Sequence, residues 1–302
     1  MSTPRDARLQ LVGACCALLA AVLALAGAPA HRPAAAPPLR LATWNIAWLS
    51  SQDGAGQIPR SPADYERLRR YAERLEADVV ALQEIDGVQA ARRVFDAGTY
   101  EFHFAAPAGG KGQAQRAGFA WRRTLRVTVN DDVDGLALGG RSRRGADVSV
   151  HLPQGDLRLL SIHLKADCVA KPLTSPLAAC RELAEQEVAL ERWVDARARE
   201  GRPFVVLGDF NRRFNAHDPF WSALDDGDPP EATLTDTGSG RRPACWGGRY
   251  HVFIDHIVLS RGAAAWLVPD SFTQQVYEPQ DAPYEKTLSD HCALLATLQP
   301  GR

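Results

Sequence analysis

"VVLGDFNRRF", residues 205–214, begins as a buried strand and ends in chemistry: Val205, Val206 and Leu207 are apolar, yet the run closes on Asp209 and, two residues later, Asn211. A chain that only had to turn a corner could use Gly208 and Asn211 without setting a carboxylate at the rim of its core. Burying that carboxylate is unfavourable unless it is paired, hydrogen-bonded or bound to a cation. A simple strand-to-loop turn also fits this stretch taken alone.

The same pattern recurs elsewhere in the chain. "TWNIAW" (43–48) sets Asn45 inside an apolar strand, and "VVALQEI" (79–85) brings Glu84 to the end of the next. "LLSIHLKA" (159–166) holds His163, "VFIDHIVL" (252–259) holds Asp255, and "LSDHCALL" (288–295) opens the last strand with Asp290 and His291. Singly, Asn45 is explained as a turn cap, His163 as a core histidine and Asp255 as an arginine partner. Together, four carboxylates at the ends of apolar runs call for one shared rim. Their repulsion there requires a cation, and an oxygen-rich set suits Mg²⁺ or Mn²⁺ rather than zinc. Two histidines add proton transfer and phosphate binding. Basic stretches lie at "WRR" (121–123) and "RSRR" (141–144), each by default a solvated face. Carboxylates, a hard metal, histidines and arginines are the parts needed to hydrolyse a phosphate ester.

Strands are expected at about 39–46, 78–84, 100–105, 117–122, 125–130, 146–152, 157–164, 203–209, 251–259 and 291–298. A helix is expected from Ser61-Pro62, with Tyr65, Leu68, Ala72 and Leu75 on one face, and a second along 177–199 through Leu183, Leu190 and Val194. Neighbouring central strands favour hairpins, and no internal repeat or linker divides them. Residues 39–299 therefore read as one α/β domain, two packed sheets with outer helices.

Residues 1–30 differ from the rest. Arg5 and Arg8 precede an uncharged, Ala-rich run from Leu9 to Ala26, and Ala28-Pro29-Ala30 offers a cleavage site. This is the pattern of a signal peptide, with an uncleaved anchor as the alternative, and an Ala/Pro-rich linker follows at 31–38. The expected product is secreted or periplasmic, monomeric and without stable membrane association. Its formal charge moves from −1 to about −2 once Arg5, Asp6 and Arg8 are gone, so no global basic field advertises nucleic acid. Cys168, Cys180, Cys245 and Cys292 remain, an even number for an oxidising compartment. The short separation favours Cys168–Cys180, and Cys245–Cys292 follows by elimination. No CxxC pair points to zinc.

The six motifs "WNI", "LQE", "IHL", "GDFN", "IDHI" and "SDH", in this order over residues 39–298, resemble the endonuclease/exonuclease/phosphatase superfamily with the DNase I-like fold. The resemblance implies a four-layer α/β sandwich of two packed mixed β-sheets flanked by helices, with a Mg²⁺-dependent phosphohydrolase site at one edge. It makes Glu84 the main metal ligand, with Asn45 and Asp290 close by. Asp209 and Asn211 become the pair that positions the attacking water, delivered to one side by their spacing. His291 becomes the catalytic histidine oriented by Asp255, and His163 a phosphate ligand or leaving-group acid. Arg143 or Arg144 falls where DNase-like members place an arginine on phosphate. One departure stands out: those members support the first histidine with a Glu just before the "GFAW" strand, where this chain has Gln113, Gln115 and Arg116. The leading expectation is an exported nuclease acting on a phosphodiester substrate. A phospholipid or sphingomyelin phosphodiesterase, or a phosphomonoesterase, is the alternative, with "GAAAWLVPD" (262–270) as the one candidate lipid-docking stretch. A silent binding module would keep the fold but should lack Glu84 or His291, and both are present.

Overall fold

All ten expected apolar runs form strands, and two short ones join them. In chain order they are β1 (Leu39–Leu49), β2 (Val79–Ile85), β3 (Tyr100–Phe104), β4 (Arg116–Arg122), β5 (Arg126–Val129), β6 (Ala146–Leu152), β7 (Gly155–His163), β8 (Phe204–Asp209), β9 (Leu234–Asp236), β10 (Asp255–Ser260), β11 (Thr273–Gln275) and β12 (Ala293–Leu298). The computed structural model describes residues 37–109 and 115–301. The expected signal peptide, most of the 31–38 linker and Gln113 lie outside the described residues. One sheet runs β11-β12-β1-β2-β4-β3 and the other β5-β6-β7-β8-β10-β9. Both are mixed, since β1 pairs β2 and β7 pairs β8 in parallel while the remaining pairs are antiparallel.

Three apolar layers hold these sheets. Leu41, Val79, Ala81 and Phe119 of the first sheet pack against Val148, Leu159, Leu207 and Ile257 of the second. Helix α1 (Pro62–Leu75) lays Tyr65, Leu68, Ala72 and Leu75 on Trp44, Ile46, Val80 and Leu82, the opposite face of the first sheet. It starts where a capping box forms: Asp64 N donates to Ser61 Oγ at 3.3 Å and Ser61 N to Asp64 Oδ2 at 2.8 Å. After the short α2 (Val88–Ala91), α3 (Ala178–Arg199) sets Leu183, Leu190 and Val194 on Leu160, Ile162 and Val206 of the second sheet. The result is a helix–sheet–sheet–helix sandwich. No helix among the described residues is long and apolar enough to cross a membrane.

The two strands nearest the site are shorter than their apolar runs. β10 begins at Asp255, not 251, because its partner β8 ends at Asp209 and only Phe210 N to Ile254 O continues the pairing. β12 begins at Ala293, not 291, since its ladder with β1 stops at Thr43 opposite Leu294. In the 262–270 stretch Trp266 and Leu267 are half-buried against the inter-sheet core, and Leu267 bridges Leu298, so packing accounts for its apolar residues. "WRR" is an ordinary outer face, with Trp121 buried and the two arginines paired to Asp78 and Glu101.

Gly208 answers part of the opening puzzle. Its φ is +150°, and an added Cβ would stand 2.1 Å from the Ile162 carbonyl oxygen of β7. Only a residue without Cβ lets β8 approach β7 here. Gly208→Ala should therefore cost about 3 kcal/mol or more, measurable by denaturant titration; a loss within experimental error would mean that the strands can part freely.

Both expected disulfides are formed, Cys168–Cys180 and Cys245–Cys292. The second joins the 245–248 turn to the residue after His291. Reduction should lower turnover before the core melts, read as activity and circular dichroism along one reductant series. Simultaneous loss of both signals would deny this bridge a local role.

Candidate active site

Alternation along the strands builds the site. The residues facing the other sheet read Leu39, Leu41, Thr43, Asn45 on β1; Val79, Ala81, Gln83 on β2; Leu157, Leu159, Ser161, His163 on β7; and Val205, Leu207, Asp209 on β8. β10 runs the opposite way and reads Asp255, Ile257, Leu259. Each inward set is apolar at one edge of the sandwich and polar at the other, so all five strands deliver their polar ends together. Across the second sheet His163 stands opposite Asp209, and Asp209 opposite Asp255. A buried polar layer separates them from the core: Thr43 Oγ1 donates to Gln83 Oε1, and Gln83 Nε2 to Ser161 Oγ, each at 3.3 Å.

Glu84 breaks the alternation. Its parity should send it toward α1, but it takes φ +60° at a register irregularity between Leu82 and Ile85. Ala47 and Trp48 on neighbouring β1 are also left-handed. The turned carboxylate accepts from Asn45 Nδ2 at 3.2 Å through Oε1 and from Trp48 N at 3.1 Å through Oε2. Arg60, fully buried, holds this irregular end by donating to the carbonyls of Ile46, Ala47, Trp48, Thr287 and Leu288. It thereby ties the bulge behind Glu84 to the chain just before Ser289-Asp290-His291.

Asp209 lies at the centre. Oδ2 accepts from Asn45 Nδ2 at 3.0 Å and lies 3.6 Å from His163 Nε2 and 3.8 Å from His291 Nε2; Oδ1 accepts from Asn211 N at 2.8 Å. Burial raises its pKa, and nearby Asp255 adds to the shift. His291 Nδ1 is 2.7 Å from Asp255 Oδ2. Burial works against the charge on His291, but the carboxylates of Asp255 and Asp209 outweigh it and hold the pKa well above the ordinary value. His163 goes the other way: burial, with Arg143 and His291 nearby, pushes its pKa well below the ordinary value. Its Nε2 is 3.7 Å from Glu84 Oε1, while Nδ1 has no hydrogen-bond partner among the described residues. Among the described residues no side chain replaces the missing Glu behind this histidine.

The two arginines separate cleanly. Arg143 is within electrostatic reach of Glu84 and Asp209, and its Nη2 donates to Gln115 Oε1. Arg144 turns away, pairing with Asp134 at 2.6 Å and holding the carbonyls of Ala106 and Pro107. Asn211 corrects the spacing expectation. β8 stops at Asp209 and Asn211 takes φ +49°, so its side chain leaves the strand face and donates to Leu164 O at 3.1 Å. It serves Asp209 through its backbone N–H instead. Asp290 lies exposed at the mouth, 4.0 Å from His291 Nε2.

The donor set suits a hard cation. Glu84, Asp209, Asp255 and Asp290 outnumber the positive groups Arg143 and His291, and no thiolate is available, since Cys245 and Cys292 are bridged. Asp209, Asp255 and His291 hold ligand-type atoms within 4.8 Å of one another. Asp255 and His291 are already committed to each other, so Glu84 is the freer ligand. Arg60 and Ser289 were not legible as site residues. Ser289 Oγ donates to Asn45 O at 2.8 Å and accepts from His291 N at 3.1 Å; only its place in "SDH" hinted at this.

No curated protein matches the chain by sequence. Solved structures do match it in fold. Truncated TDP2 from Caenorhabditis elegans is 17% identical, with 87% of this chain and 97% of that one covered at a TM-score of 0.57. An endonuclease/exonuclease/phosphatase from Bacteroides vulgatus is 18% identical over 87% and 99% at 0.56. The 3′ phosphatase NExo from Neisseria, bound to a product DNA hairpin, is 17% identical over 86% and 99% at 0.54. Residues 42–291, spanning every strand-end residue of the site from Asn45 to His291, match the Endonuclease/Exonuclease/phosphatase family, and the chain belongs to this family of metal-dependent phosphoric ester hydrolases.

Proposed function

We propose that the chain is an exported phosphodiesterase dependent on Mg²⁺ or Mn²⁺, and that its substrate is a nucleic acid. The observation carrying this reading is the convergence of Asn45, His163, His291 and Arg143 on Asp209, with Glu84 beside Asn45 and His163. Glu84, with Asn45 and Asp290 nearby, would hold the cation, which would neutralise phosphate charge and polarise a bound water. Asp209, its pKa raised by burial, is suited to take the proton of the attacking water. His291, kept charged by Asp255, would donate from Nε2 to a phosphate oxygen, joined by His163 and by Arg143. The Neisseria neighbour with its DNA hairpin supports a nucleic-acid substrate, and two disulfides suit an oxidising compartment reached through a cleaved 1–30 leader.

One observation favours a second reading. A largely apolar cavity of about 410 Å³ reaches Asp290 and His291, with Tyr250 and Val252 exposed at its edge. A lipid phosphodiesterase or phosphomonoesterase could use it for an apolar substituent. The test incubates protein beginning at residue 31 with plasmid DNA, RNA, sphingomyelin vesicles and simple phosphate mono- and diesters, with Mg²⁺, Mn²⁺ or chelator. Metal-dependent cleavage of DNA or RNA is expected; turnover confined to sphingomyelin or monoesters would replace the nuclease reading.

A further inference from the structure

The stretch that carries Asp209 ends on two adjacent arginines with opposite surroundings. Arg213 is exposed, whereas Arg212 is only 3% exposed, a state that a charged side chain reaches only when paired. Its guanidinium is engaged on two sides. Nε and Nη2 donate to the Asp218 carboxylate, and Nη1 donates to the carbonyls of Cys168 at 2.7 Å and Lys171 at 2.6 Å. The backbone carbonyl of Arg212 in turn accepts from His256 Nε2 at 2.9 Å.

These partners belong to the elements that build the catalytic edge. The segment holding Cys168 and Lys171 leaves β7 just after His163 and is bridged to α3 through Cys180. It meets the chain after Asp209 twice more, where Leu164 O accepts from Asn211 Nδ2 and Val169 O from Arg213 N, each at 3.1 Å. His256 is the residue after Asp255 on β10. Residue 212 is therefore gripped through its side chain by the segment of His163 and through its backbone by the strand of Asp255.

What this grip holds is the turn at Asn211. β8 ends at Asp209, and Asn211 takes a left-handed backbone, which a residue with a Cβ keeps only where its surroundings enforce it. In that conformation Asn211 N donates to Asp209 Oδ1 at 2.8 Å, while Oδ2 faces Asn45 Nδ2 and the Nε2 atoms of both histidines. One planar guanidinium meets a carboxylate and two carbonyls at once; an ammonium is a point charge on a flexible stem and cannot match that fork.

We propose that Arg212 is a positioning residue of the reaction: by pinning the turn after β8 it keeps the Asn211 N–H on Asp209, and so fixes the orientation in which Asp209 meets the attacking water. This rests on the reading of Asp209 given above. Arg212 touches no reacting atom and no substrate, so its loss should lower kcat, leave KM nearly unchanged and act alike on large and small substrates.

The test compares wild type, Arg212→Lys and the double variant Arg212→Met with Asp218→Leu on plasmid DNA and bis(p-nitrophenyl) phosphate with Mg²⁺ or Mn²⁺, well below each melting temperature. Amide hydrogen exchange at Asn211 and along β8 is measured on the same proteins and needs no turnover. In both variants kcat per folded molecule should fall about 10- to 100-fold on both substrates, the scale expected for misplacing a reacting group by about 1 Å. The Asn211 amide should lose its protection while those of Val205, Val206 and Leu207 keep theirs. If Arg212→Lys does not fold, the double variant carries the test, because it leaves no buried charge unpaired. An unchanged kcat, a loss confined to KM, or wild-type protection at Asn211 would overturn the proposal. So would an equal loss of protection along all of β8, which would make Arg212 a residue of general stability. Active wild type with unaffected variants removes only the positioning role; a wild type that hydrolyses neither substrate removes the phosphodiesterase reading and this role with it.

Discussion

Asp255→Asn should lower turnover by about 10³-fold or more while the fold persists. Asp255 Oδ2 sits 2.7 Å from His291 Nδ1, and its Oδ1 has no partner among the described residues. An amide there can offer a neutral acceptor or an N–H. The first removes the charge that supports protonated His291, and the second forces the wrong tautomer. A carboxylate serving only as packing would give a different result, a modest loss of stability with turnover per folded molecule preserved. The pH dependence carries a sign. Asp255 and Asp209 raise the His291 pKa against the effect of burial, so removing one charge should lower it, and the alkaline limb of the rate profile should move to lower pH. The same raised pKa contributes stability that is complete below the unfolded value and fades as pH rises through the folded one. Wild type and Asp255→Asn should therefore differ most in melting temperature at low pH and converge as pH rises. After His291→Ala, the further change at Asp255 should cost little, because residues acting as one unit are strongly non-additive. Independent, multiplicative losses in the double mutant would dissolve the pair.

Glu84→Gln should raise the concentration of Mg²⁺ or Mn²⁺ needed for half-maximal activity by about 100-fold or more, beyond the usual 10- to 100-fold for residues that merely orient a ligand. Chelator should abolish wild-type hydrolysis and added metal restore it. Glu84 accepts from Asn45 Nδ2 through Oε1 and from Trp48 N through Oε2; Gln keeps one of these two acceptors, so the metal-free variant should melt only modestly below metal-free wild type, by about the worth of one hydrogen bond. An unchanged metal requirement would move the cation to another group, with the Asp209, Asp255 and His291 cluster next in line. Full activity of stripped wild type in excess chelator would count against a metal at this site altogether.

The strands were legible because burial on a sheet leaves a period of two and an apolar run in the sequence, and both survive without knowledge of the partner strand. β9 and β11 were missed because each is three residues long, too short to show a period. Asp209 and His163 could be placed because they keep the parity of their strands. Asn211 could not, since the strand ends before it and its left-handed backbone cancels the alternation. Arg143 and Arg144 were indistinguishable as neighbours in a loop. What separates them is Gln115 on one side and Asp134 on the other, both distant in sequence.

By itself, the chain's pattern of apolar runs ending in polar groups determined a two-sheet sandwich with one chemical edge, because each strand carries its own inward order of apolar then polar residues. Tertiary structure alone decided how that edge works. Glu84 enters the site only through a left-handed bulge that Arg60 braces from another segment. The pKa of His291 is raised and that of His163 lowered only because burial and charge differ around two rings that look alike in sequence. Backbone irregularity, electrostatic environment and the choice between adjacent arginines all depend on residues far apart along the chain, and no local pattern records such distances.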